Sequence, residues 1–320
     1  MDKILAILKL IRFNNLVIIT LIQLFIKYFI INVFLDYYSL NNLYWIIYLF
    51  ALISIIAAGY IINDICDIET DNINKPNRLI INNIISESFA RKIYIGLNIF
   101  GLSLGFIVSY LVNHPLYSFI FLFFAFSLYK YSTKYKRYCF IGNLQIAFLT
   151  SLSVLNIILF DLMTKDCQNS NGYIIIIKVI AIYAIFSFTT TLIREIIKDI
   201  EDIKGDSIRG LQTMPIIIGI KKSKSIVIII TALTIILISY IQYFQYSVIN
   251  STFNHDLSIW GADRLSFYYT SLIQLLCIFL IYKTYSASEK EEFYTLSQIC
   301  KIIMVIGIIS IPIFTYIHLH

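Results

Sequence analysis

Long uninterrupted apolar runs, separated by short polar stretches, set the pattern of this chain. Nine runs stand out, at roughly 15–35, 43–62, 92–112, 115–131, 139–160, 173–193, 225–246, 266–284 and 298–317. About 20 apolar residues carry a helix across the hydrocarbon core of a bilayer. The fourth run is short, and the eighth is broken by Ser, Thr and Gln. The runs are continuous, whereas a transmembrane β-barrel alternates apolar and polar positions along strands of about 10 residues. The pattern predicts an all-α integral membrane protein with nine transmembrane helices, here spans 1 to 9.

Composition agrees. Apolar residues make up 59% of the chain and charged residues 14%, where a soluble domain carries about a quarter charged. A soluble globular protein is excluded, as is a disordered chain, which needs the opposite balance. Five scattered cysteines with no C-x-x-C argue against a disulfide scaffold or a thiolate metal site. No Pro/Gly/Ser-rich linker or composition shift divides the chain, so residues 1–320 read as a single membrane domain. Lys3, Lys9 and Arg12 precede the first run, but no small-residue cleavage site follows it, so no cleavable signal peptide is expected.

The placement of charge tests the count of spans. With nine, the N-terminus and the loops after spans 2, 4, 6 and 8 share one side, and that side holds 21 of the 25 Lys and Arg. The other side holds Lys27, Lys165, Lys178 and Arg264. Positive-inside bias places the N-terminus and the even loops in the cytoplasm and the C-terminus outside, with the chain in the cytoplasmic membrane. The net charge of +6 is then topological. It calls for no nucleic acid, and no protein partner is inferred.

Nine of the 19 acidic residues fall in two short segments, at the cytoplasmic ends of spans 2 and 6. Asp64, Asp67 and Asp71 stand at i, i+3 and i+7, on one helical face, with Asn63 at i−4 from Asp67. Glu195, Asp199, Asp202 and Asp206 repeat the stripe at i, i+4, i+7 and i+11. Like charges on one ridge repel, and near a membrane they lose solvation, so a cation should compensate. Hard carboxylate oxygens at this spacing suit Mg²⁺, which takes one or two carboxylates and completes its shell with water and substrate phosphate. Either ridge alone reads equally well as a solvated helix end paired by its own Lys and Arg. Two ridges at D-x2-D-x3-D spacing on one membrane side favour two Mg²⁺ ions around a diphosphate. Cations follow each ridge: Lys75 and Arg78 after the first, Arg194, Lys198, Lys204 and Arg209 around the second, and Lys134, Lys136 and Arg137 in the loop after span 4. Any one of these is also plain positive-inside charge. Arg78 and Lys134 are the preferred phosphate binders, with Lys75 and Lys198 beside them.

With these residues identified, the chain resembles the UbiA superfamily of intramembrane prenyltransferases over nearly its whole length. Asn63, Asp64, Asp67 and Asp71 match the family's N-D-x-x-D-x-x-x-D, and Asn74-Lys75-Pro76-Asn77-Arg78 resembles the N-x-P-x-R run that follows it. Asp199, Asp202 and Asp206 match the second motif, and Thr213-Met214-Pro215 resembles the T-L-P after it. Arg12 and Asn15 fit the R-x-x-N of span 1, and Tyr129–Lys134 with Gly142-Asn143 fits the segment around span 4. The resemblance implies nine helices ringing a central cavity under a cap formed by the loops after spans 2 and 6. It implies transfer of an isoprenyl group from its diphosphate to an acceptor, with Mg²⁺ and cations neutralising the leaving diphosphate. The implied catalytic and metal-ligating residues are Asn63, Asp64, Asp67, Asp71, Asp199, Asp202 and Asp206. Arg12 and Asn15 are implied on the acceptor side.

The second motif in full, R-E-I-x-K-D-I-E-D-x-x-G-D from Arg194 to Asp206, resembles the branch that adds geranylgeranyl to geranylgeranylglycerol phosphate, making the second ether of archaeal-type lipids. The alternative acceptors are quinone precursors, 1,4-dihydroxy-2-naphthoate or 4-hydroxybenzoate. Haem fits less well, because the four histidines (114, 255, 318 and 320) all fall on the non-cytoplasmic side. A divalent-cation or organic-anion transporter is the reading from another class. It should carry ionisable groups near the midplane, whereas here the acids cluster at one membrane edge.

Overall fold

The computed structural model of the chain describes residues 3–35, 38–74, 76, 79–163, 173–251 and 260–320. Among them, eight helices are long and apolar enough to cross a bilayer: span 1 (Phe13–Phe34), span 2 (Asn42–Cys66), span 3 (Glu87–Leu111), span 5 (Ile141–Leu162), span 6 (Tyr173–Glu201), span 7 (Ile220–Ser247), span 8 (Arg264–Ser286) and span 9 (Lys290–Leu319). The short fourth run is also helical. Span 4 (Ser118–Thr133) has 16 residues, about 24 Å at 1.5 Å per residue, less than the hydrocarbon thickness of about 30 Å. A 3₁₀ turn, Pro115–Tyr117, lengthens it at its start.

Polar residues at the boundaries start these helices. The Asn41 side chain accepts from the Tyr44 N–H, Ser86 from Phe89 and Asp263 from Ser266. Glu289 and Glu292 form a capping box for span 9. Span 3 meets spans 2 and 4 along a glycine edge. A Cβ on Gly101 would lie 3.0 Å from the Ala51 carbonyl oxygen, and one on Gly105 2.5 Å from the Phe121 ring. In lipid, where apolar burial adds little, such close approach supplies the packing energy. Ile95, Ile99, Phe106 and Tyr110 form the exposed, lipid-facing stripe of the same helix.

A central cavity of about 800 Å³ opens at the end of the bundle that carries the acidic motifs. Its described lining comes from spans 1, 2, 4, 5, 6 and 9 and the segments joined to them. Spans 3, 7 and 8 contribute no described lining residue and pack outside. The nine spans among the described residues are therefore an inner six around the cavity and an outer three.

Away from the motifs, spans 1 and 5 each widen into a π-helical segment, Ile26–Ile31 and Ile158–Leu162. These carry Lys27 and Asp161, both 0% exposed and ion-paired at 2.7 Å. Asp161 also accepts from the Leu40 N–H at 2.8 Å. The sequence pattern counted Lys27 among the outer-face charges; the structure buries it instead. A lone lysine at hydrocarbon depth costs several kcal/mol, so its partner makes this position tenable. One turn closer to the motifs, Gln23 donates to the Ser153 carbonyl at 2.7 Å, and Tyr48 donates to Gln23 at 3.5 Å. The cavity ends at this tier.

Candidate active site

The two acidic motifs are built alike. Span 2 stops at Cys66 and a short helix, Ile68–Asn74, continues beyond Asp67. Span 6 stops at Glu201 and a second short helix, Ile203–Ile208, continues beyond Asp202. Asp67 has φ −100° and ψ 5°, and Asp202 has φ −97° and ψ 5°, both in the bridge region. The i to i−4 ladder persists through each bend: Asp67 donates to Asn63 and Asp71 to Asp67, and Asp202 to Lys198 and Asp206 to Asp202. The spacing alone predicts straight helix ends; each is instead hinged at its middle aspartate, with the hydrogen-bond register kept.

The structure brings both ridges to one cavity. Asn63, Asp64, Asp67, Asp71, Asp199, Asp202 and Asp206 all line it, as do Arg12, Asn15 and Lys198. Lys134 does not. It is exposed, with its ammonium 6.0 Å from the Tyr135 ring, and Lys136 lines the cavity in its place. The difference is one of register: span 4 ends at Thr133 and a 3₁₀ turn, Tyr135–Arg137, rotates the second lysine inward. Lys75 and Arg78 lie outside the described residues.

Two of the first-ridge carboxylates, Asp64 and Asp67, have cationic partners. Arg12 Nη2 donates to Asp64 Oδ1 at 2.8 Å, and its guanidinium stacks 5.0 Å from the Tyr60 ring centroid. Arg12 adopts φ 51° and ψ 53°, left-handed backbone that a non-glycine residue rarely takes, at the junction of the helix Lys3–Leu10 and span 1. Lys136 pairs with Asp67, which also accepts from Asn63 Nδ2 at 2.9 Å and has Arg209 3.6 Å away. Burial works to lower the pKa of Lys136, but Asp67, Tyr131 and Asp206 together outweigh it and hold that pKa above a lysine's ordinary value. Asp64 acts in the same sense on the half-buried Arg12. In the second ridge, Asn143 Nδ2 of span 5 donates to Asp199 at 2.8 Å.

The donor set fits Mg²⁺. Asn63 Oδ1 is buried without a hydrogen-bond partner among the described residues, a hard oxygen left over beside Asp64 and Asp67. No three acidic, His or Cys groups converge on one point among the described residues. An ion that takes one or two carboxylates and completes its shell with water and phosphate needs no such nest.

The likeness of the two motifs extends to how they hold each other. Asn74 stands seven residues after Asp67, and Arg209 seven after Asp202. Asn74 donates to the Asp202 carbonyl and accepts from the Gly205 N–H, both at 2.9 Å. Arg209 donates to Thr70 at 3.1 Å. Gly205 and Thr70 are each three residues past their hinge. Each short helix thus reaches the same position of the other, a reciprocal clasp with local two-fold character. A Cβ on Gly205 would lie 2.5 Å from the Asn74 side chain, so this close approach requires glycine. Lys290, at the start of span 9, donates to the Asn74 carbonyl at 2.6 Å, and the Gln212 N–H to the Arg137 carbonyl at 3.0 Å. The segments after spans 2, 4, 6 and 8 are joined across the cavity mouth.

Sequence comparison matches residues 24–293 to the model of the UbiA prenyltransferase family. The digeranylgeranylglyceryl phosphate synthase of Methanosphaera stadtmanae is 34% identical over 258 residues, 79% of this chain and 81% of that protein. The enzyme of the same name from Thermococcus sibiricus is 38% identical over 175 residues, 53% of this chain and 55% of that one. Among solved structures, one described as giving structural and mechanistic insights into digeranylgeranylglyceryl phosphate synthase in membranes aligns over 98% of this chain and 99% of its own, with TM-score 0.62 and 27% identity. A UbiA homolog from Archaeoglobus fulgidus, solved with DMAPP and Mg²⁺, shares the fold at TM-score 0.57 and 12% identity, over 96% of this chain and 99% of that one.

Proposed function

Because the chain belongs to the UbiA prenyltransferase family, we propose that it transfers a geranylgeranyl group from its diphosphate to the free hydroxyl of geranylgeranylglycerol phosphate. The observation that carries the reading is the facing of two equivalent aspartate ridges across one cavity. The extended second motif, and the relatives named digeranylgeranylglyceryl phosphate synthase, support the acceptor.

Asn63, Asp64, Asp67 and Asp71 on one side, and Asp199, Asp202 and Asp206 on the other, would hold Mg²⁺ with the diphosphate. Bound there, the ions neutralise the leaving group. Lys136, Arg209 and Lys198 add fixed positive charge at the same mouth, and Lys75 and Arg78 follow the first ridge in sequence. The allylic C–O bond breaks, carbon 1 gains cationic character, and the acceptor oxygen attacks it, losing its proton as the ether forms. Tyr60 and Tyr131 line the cavity and offer ring faces to a cation. Ile18, Ile19, Ile56, Phe124 and Leu149 line the chamber beyond, an apolar bed for the prenyl tail that keeps water from the reacting carbon. The protein is a multi-pass integral membrane protein. The charge bias supports a cytoplasmic N-terminus and active-site mouth, an external C-terminus and residence in the cytoplasmic membrane.

The test is Mg²⁺-dependent transfer from labelled geranylgeranyl diphosphate to geranylgeranylglycerol phosphate in membranes containing the chain. A labelled diether is expected, lost with EDTA, restored by Mg²⁺, and absent in Asp64→Ala and Asp202→Ala proteins that remain membrane-inserted. Prenylation of 1,4-dihydroxy-2-naphthoate or 4-hydroxybenzoate instead would replace the acceptor. Near-normal turnover in either aspartate variant would sink the two-ridge site.

A further inference from the structure

The carboxylates account for one part of the cavity lining; another part is cationic. Arg194 of span 6 and Lys301 of span 9 both line the cavity, with Gln298 one turn before Lys301. Tyr294, Gln298, Lys301 and Met304 recur at helical spacing on the face of span 9 that looks inward. Lys301 makes no hydrogen bond or ion pair with any described residue. Arg194 gives one guanidinium nitrogen to Glu195 at 2.8 Å, and its Nε is buried with no hydrogen-bond partner among the described residues. Glu195 also faces Lys198, at 3.6 Å. Arg194 and Arg12 both repel the Lys301 charge, and Glu195 attracts it.

Donors of this kind are costly in a membrane protein unless a ligand answers them. They also stand apart from the ridges. Arg194 precedes Asp199 by five residues, about 7.5 Å of helical rise, on the bilayer side of the diphosphate site. One carboxylate among several cations leaves an excess that a monoanion only partly offsets. A phosphate monoester carries about −1.5 to −2 at neutral pH and three acceptor oxygens. On the reading of the acceptor given above, we propose that Lys301 and the Nε of Arg194 form the subsite for the acceptor's phosphate, with Gln298 beside them. A phosphate fixed there holds the acceptor hydroxyl, only a few bonds away, near carbon 1 of the prenyl diphosphate. Lys301 and Arg194 then select phosphorylated acceptors over neutral ones.

Steady-state kinetics with both substrates varied tests this. Lys301→Met should raise KM for geranylgeranylglycerol phosphate at least tenfold and leave KM for geranylgeranyl diphosphate within twofold, and Lys301→Arg should recover most of the loss. Inorganic phosphate should inhibit the wild-type enzyme competitively against the acceptor and not against the diphosphate, a readout independent of how any variant folds. An unchanged acceptor KM in Lys301→Met, or phosphate inhibition competitive only against the diphosphate, overturns the subsite and leaves the transfer reaction standing. A wild-type enzyme that makes diether from no phosphorylated acceptor overturns the acceptor reading, and the subsite with it.

Discussion

Asp67 shows how much one carboxylate can be asked to do. Asn63, Lys136 and Arg209 all address it, from span 2, the loop after span 4 and the segment after span 6. These donors hold the ridge together, and a cation that took Asp67 would free the Lys136 ammonium to face the diphosphate. Lys136→Met should therefore raise KM for the diphosphate by tenfold or more, since a charge-assisted hydrogen bond is worth about 1.5–3 kcal/mol. Lys134→Met, two residues away and exposed, should leave KM within twofold. Equal effects of the two would reduce Lys136 to topological charge. The motif residues were legible because their spacing encodes a shared face, and all seven reach the cavity. The choice between Lys134 and Lys136 was not legible, because it depends on a 3₁₀ turn that rotates one lysine inward. Lys301 was equally hidden, reading in sequence as one more positive residue near a helix start.

At the scale of elements, the site depends on two hinged helices that grip each other. Asn74 and Gly205 matter more than their chemistry suggests, because neither is acidic nor cationic. Gly205→Ala would push a methyl into the Asn74 side chain and separate the short helices. Turnover should fall by at least tenfold, and thermal stability by about 1–3 kcal/mol, the cost of leaving buried partners unpaired. Gly205→Ala with Asn74→Ala, which removes the clash but not the separation, should recover stability more than activity. If both recover together, the clasp only supports the fold and does not align the ridges. The repeat of D-x2-D-x3-D was plain in the sequence. The clasp was not, since it joins positions 131 residues apart whose residue types differ between the two motifs.

For the whole molecule, the nine apolar runs foretold the helical membrane architecture, yet not which helices would face the cavity. Hydropathy reports depth in lipid, and lipid-facing and partner-facing apolar residues look alike to it. The buried Lys27–Asp161 pair was missed for a related reason, since Asp161 directly follows an apolar run and resembles a loop charge, which left Lys27 to be counted with the charges of that side. Lys27→Met alone should destabilise the protein by about 3–5 kcal/mol by leaving Asp161 uncompensated, and Lys27→Met with Asp161→Asn should recover most of that. Thermal unfolding in detergent micelles would show it. A single variant as stable as wild type would mean that the pair carries no net energy.

That pair also has a history during synthesis. Its members are 134 residues apart in the chain, and at about 5–20 residues per second Asp161 leaves the ribosome roughly 7 to 27 seconds after Lys27. For that interval span 1 holds its ammonium without Asp161, and a lysine at the centre of a span carries an insertion cost of about 2.5–3.5 kcal/mol. The long lysine side chain can reach towards the interface in the meantime. The final seat of the first helix is then settled only when the fifth arrives, so the N-terminal part of this protein waits on a residue near its middle.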